Sequence, residues 1–127
     1  MNTKSSKIHR KSYEVSTSQF SEVKVRRLTR LCGISGYSIY RYLVNETFCK
    51  GAFLLLWNKK TAQDVAAYWN ATPDEITKIV NGCIQVGLFN DELYRKHGVL
   101  TSADIQQDYI KCFGIAAIPK EFELLAS

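Results

Sequence analysis

Residues 59–87, KKTAQDVAAYWNATPDEITKIVNGCIQVG, restrict the fold of this chain more than any other stretch. In the first half Ala62, Val65, Ala66 and Trp69 recur at helical spacing, which makes one face apolar while Lys60, Gln63 and Asp64 point away from it. Thr72-Pro73-Asp74-Glu75 then opens a second helix. Thr72 is placed to accept a hydrogen bond from the Glu75 amide, Pro73 fits the first helical position, and Glu75 completes a capping box. Ile76, Ile79, Val80 and Cys83 fall at i, i+3, i+4 and i+7, and Gly87 tolerates the left-handed conformation that ends such a helix. Two short amphipathic helices across a tight turn predict a helix-turn-helix, a pattern also found in helical hairpins that touch no nucleic acid.

Upstream, residues 20–32 predict a first helix with Ser21 as its N-cap and Val25, Leu28, Leu31 and Cys32 on one face. Gly33 ends it, and Gly33 with Gly36 makes a tight corner. A second helix then runs to Lys50 with Tyr37, Tyr40, Val44 and Phe48 as a core stripe. Gly51 breaks that helix. Residues 53–57, FLLLW, predict a short buried strand, and residues 88–90 and 99–101 two more. The intervening residues 91–98 read either as one helical turn or as a long loop. Three strands beside a helix-turn-helix predict a mainly α protein with a small antiparallel β-sheet, an α+β winged helix-turn-helix with residues 91–98 as the wing. Thr101 and Ser102 are candidate caps for a last helix that ends at Gly114. Residues 1–18 read as a mobile basic arm, 19–114 as the folded domain, and 115–127 as an extension, either a strand or a docking segment.

Charge is unevenly placed. Residues 1–50 hold 10 Lys/Arg against 3 Asp/Glu, whereas residues 51–127 hold 7 against 9. A basic N-terminal half invites a polyanion, and nucleic acid is favoured over a membrane because no amphipathic helix here pairs a broad apolar face with a basic one. The longest apolar run, residues 52–57, is too short to span a bilayer, and residues 1–15 lack the apolar core of a secretory signal. A cytoplasmic location is expected. Cys32, Cys49, Cys83 and Cys112 form no C-x-x-C pair, so buried reduced thiols are expected rather than disulfides or zinc.

The basic first helix, Gly33-Ile34-Ser35-Gly36-Tyr37-Ser38-Ile39-Tyr40, the apolar strand, the helix of residues 65–69 and Val86-Gly87-Leu88-Phe89 together resemble a domain family of unknown function. That family occurs at the N-terminus of phage and mobile-element proteins of the replication-initiator or DnaD-like primosome type. Residues 93–106, LYRKHGVLTSADIQ, resemble its Bacteroidetes-type version. The resemblance covers roughly residues 20–109 and implies a winged-helix-type fold, a DNA-binding role in replication or mobile-element biology, and no catalytic residues. Members often carry an acid after the aliphatic pair of the second helix, whereas here Leu43-Val44 is followed by Asn45.

DNA binding is therefore expected mainly through phosphate contacts from Lys24, Arg26, Arg27 and Arg30, from Lys59 and Lys60, and from the wing cations Arg95 and Lys96. Lys78, Asn81 and Gln85 are the residues of the second hairpin helix able to meet base edges, although Asp74 and Glu75 at its leading end disfavour phosphate. The other reading is a protein-interaction or oligomerisation module, with a second copy or a replication protein as partner. Neither G-x-x-x-x-G-K-[ST], G-x-G-x-x-G nor H-E-x-x-H is present, and His97 has no fixed acid or nucleophile beside it, so no enzyme, cofactor or metal site is expected.

Overall fold

The computed structural model describes residues 11–114 and 117–125. Helix α1, Val23–Cys49, is broken at Gly33, whose φ of 71° and ψ of −159° no other residue type adopts cheaply. The two predicted helices are thus the two arms of one kinked rod. Its start differs from expectation. Ser21 closes a 3-10 turn, Gln19–Ser21, and Glu22 stands at the N-cap without a side-chain bond.

Strand β1, Leu55–Leu56, pairs antiparallel with β2, Val99–Leu100, through Leu55 opposite Leu100 and Leu56 opposite Val99. Between them lie α2, Lys59–Trp69, α3, Pro73–Gln85, and α4, Asp91–His97; α5, Ala103–Phe113, follows. The fold is mainly helical with a small two-stranded antiparallel sheet. The third strand expected at residues 88–90 does not form. Leu88 and Phe89 are buried in a turn, and the Asn90 side chain accepts from the Leu93 amide at 2.9 Å, starting a helix where a strand would have continued. Only the Asn90 amide, 2.8 Å from the Thr101 carbonyl, keeps a trace of that pairing. The expected wing is accordingly α4 rather than a β-ribbon, closed at Gly98 with φ 64°.

The hairpin forms as its sequence dictates. Asn58 caps α2 by accepting from the Thr61 amide at 2.8 Å. Thr72 and Glu75 make both bonds of the capping box, at 3.1 and 2.8 Å. Asn70, φ 55°, supplies the left-handed turn between the helices. Ile76, Val80 and Cys83 of α3 bury against α1, whose Val25, Leu28, Ile39, Leu43 and Val44 complete the core. Tyr42 stacks on Tyr68 at 4.7 Å, and Tyr40 meets Phe89 at 5.5 Å. The predicted aromatic stripe is core.

Both ends of the described chain dock on this body. Tyr13 packs against Phe48 at 4.8 Å and accepts a hydrogen bond from Arg41 at 2.9 Å, so the arm expected over residues 1–18 is anchored at that point. Its Lys4, Lys7 and Arg10 lie outside the described residues. Ile118 is buried, which favours the docking reading of the extension.

Candidate nucleic-acid interface

Lys24, Arg26, Arg27 and Arg30 all lie on the first arm of α1 and all are exposed. At a rotation of about 100° per residue, Arg26, Arg27 and Arg30 fall opposite the buried Val25 and Leu28, on one outward face. None of the four makes an ion pair with another described residue. Lys24 turns aside to cross the end of α3, with its Cε 3.4 Å from where a β-carbon on Gly87 would stand. A cation there also suits the negative end of the α3 dipole.

The other expected phosphate contacts are placed differently. Lys60 bonds Asp64 at 3.0 Å, Arg95 bonds Asp91 at 3.0 Å and Lys96 bonds Glu92 at 3.0 Å, each pair one turn apart on its own helix. The Lys96 hydrogen bond holds the Glu92 carboxyl below the usual carboxylate range. These exposed pairs add little stability. Their consequence is electrostatic, because α4 presents two cations already matched by two acids. The Trp57 amide bonds the Gly98 carbonyl at 2.7 Å, so Lys59 and Lys60 belong with the α4 end of the sheet rather than with the α1 arm.

Lys78, Asn81 and Gln85 do share one face of α3, but this face is not an open convex surface. It forms one wall of a groove of about 790 Å³, whose other wall is Leu31, Ile34 and Ile39 of α1 and whose end is Trp69. Gly82 permits this close approach. A β-carbon there would sit 2.7 Å from Cys32 Sγ and 3.3 Å from Leu31 Cδ2. The groove escaped the sequence reading. Its one visible signal was an isoleucine, Ile34, set directly after a helix-breaking glycine and off the core stripe.

All four cysteines are thiols, but only Cys83 is buried; Cys32 is half-buried and Cys49 and Cys112 are exposed, against the expectation of burial. Cys49 and Cys112 sit in the last turns of α1 and α5.

A family model described as "Lin1244/Lin1753-like, N-terminal" matches residues 13–105, most of the chain. The chain belongs to that family. The match opens at Tyr13, the residue anchored on Phe48, and closes at Ile105 in α5, so the Lin1244/Lin1753-like unit takes in the kinked α1, the hairpin, the strand pair and α4. It starts earlier than the expected residue 20 and takes in the Tyr13 contact on Phe48. No curated protein and no solved structure matches the chain. Among the described residues no helix is long and apolar enough to cross a membrane.

Proposed function

We propose that this Lin1244/Lin1753-like domain is a cytoplasmic, non-enzymatic DNA-binding module of the winged-helix type, serving a replication-initiation or mobile-element protein. The α2–α3 hairpin supplies the helix-turn-helix, and α4 stands where a ribbon wing would be. The observation that carries the reading is the exposed face of Arg26, Arg27 and Arg30 on α1, with Lys24 at its edge, unmatched by any described acid while Lys60, Arg95 and Lys96 are matched. Unmatched guanidinium groups on a rigid helix suit phosphate oxygens. Because Lys78, Asn81 and Gln85 face a groove, base reading is weak and sequence preference modest.

Fluorescence anisotropy with random duplex and single-stranded DNA at two salt concentrations tests this. Affinity is expected to fall steeply with salt, and replacing Arg26, Arg27 and Arg30 together by Ala is expected to reduce the log–log salt slope by about 3 on duplex DNA. Replacing Arg95 and Lys96 is expected to change it far less. Absence of binding at low salt overturns the reading.

The groove favours a second reading, a protein-contact module. Leu31 and Ile34 stand exposed along it, facing the polar Lys78, Asn81 and Gln85, an arrangement suited to a protein partner.

A further inference from the structure

The groove between α1 and α3 exposes apolar side chains of α1 opposite the polar edge of α3. Ile34 is 88% exposed and Leu31 49% exposed, on either side of the Gly33 break, and Trp69 stands at the far end. The two walls run antiparallel, since Lys24 lies by Gly87, Cys32 by Gly82 and Tyr42 by Trp69. Opposite charge therefore collects at the two ends. Arg27 and Lys24 precede Leu31 by four and seven residues on its flank, beside the C-terminus of α3, while Asp74 and Glu75 occupy the N-terminus of α3 at the other end. Lys78 lies between, one turn from Glu75.

A uniformly charged partner laid along this groove would meet like charge at one end. A second copy turned through 180° meets opposite charge at both, which is the self-complementarity a two-fold interface needs. We propose that the groove is the interface of a two-fold homodimer, in which Ile34 of each copy enters the groove of the other and Arg27 of each faces Asp74 of the other. Leu31 and Ile34 supply the aliphatic part of this contact, and Arg27 and Asp74 the charges at its rim. The proposal rests on the protein-contact reading; it takes Arg27 from the basic face and leaves Arg26 and Arg30, on the flank turned away from Leu31, open to DNA.

Sedimentation velocity on the full chain, from micromolar to sub-millimolar concentration, tests it. The wild type is expected to pass from monomer to dimer. I34E, R27E and D74K are each expected to weaken the dimer at least about tenfold, with helical circular dichroism retained because all three side chains are exposed. An equimolar mixture of R27E and D74K, in which every contact across the axis again joins opposite charges, is expected to recover it. A wild type that stays monomeric, a dimer that I34E leaves intact, or a mixture that does not recover overturns the proposal. A monomer that still binds DNA overturns the dimer alone, and a dimer that binds no DNA at low salt overturns the nucleic-acid reading alone.

Discussion

Cys83 is wholly enclosed between α1 and α3, and burial pushes its thiol up to about 12 from the usual 9.0, with the neighbouring Cys32 adding to the shift. Between those two values the unfolded chain holds fewer protons than the folded one. Stability is therefore full below pH 9 and falls as pH rises through that window. Burial also raises the Tyr40 hydroxyl, which extends the decline above pH 10. Urea unfolding followed from neutral to alkaline pH is expected to show this loss, and Cys83→Ala is expected to be less stable at neutral pH yet flatter above it. A wild-type curve flat through pH 9 and beyond would contradict the enclosure of Cys83. Labelling with a thiol reagent gives a matching readout, with the exposed Cys112 reacting in the native state and Cys83 only on unfolding. The helical position of Cys83 was legible in the i, i+3, i+4, i+7 pattern. The exposure of Cys112 was not, because periodicity says which face a residue is on and not whether that face still has a neighbour.

At the level of elements, the break in α1 directs everything that packs on it. Gly33 bends the rod so that its basic arm lies along α3 while its aromatic arm meets α2 and Phe89. A β-carbon at Gly33 would find nothing within 4 Å, so a substitution there acts only through the backbone. Gly33→Ala is expected to cost about 1 to 3 kcal/mol, measured by thermal or urea unfolding. A neutral result would mean that the arm straightens at no cost. Helix starts were readable at Thr72 and Ser102, where a side chain caps, but not at Asn58 and Asn90, which cap α2 and α4 in the same way. The 3-10 turn before α1 and the missing third strand were not. Leu88 and Phe89 carry strand-like character, and the choice fell to Asn90, whose cap on Leu93 competes with the ladder and wins as soon as α4 has a buried Leu93 to hold it down.

Across the whole molecule, Gln106 ties the C-terminal segment to the body. It is fully buried, its Nε2 donates to the Phe122 carbonyl at 2.8 Å and its Oε1 accepts from the Leu124 amide at 2.8 Å, while Phe122 lies against His97 at 4.9 Å. Gln106→Ala leaves both backbone groups short of a partner and is expected to cost about 1 to 3 kcal/mol. Proteolytic cleavage after Lys120 is expected to accelerate while the helical signal of the hairpin persists; an unchanged cleavage rate would show that apolar docking of Ile118 suffices. No local pattern marked Gln106, because its partners lie 16 and 18 residues away. By itself the sequence determined the two hairpin helices, the capping box at Thr72, the break at Gly33 and the basic face of the first arm, since each depends on residues within a turn or two of one another. Tertiary structure alone decided which strands pair, that residues 91–98 become a helix and that the polar face of α3 lines a groove, since those depend on what distant segments bring alongside.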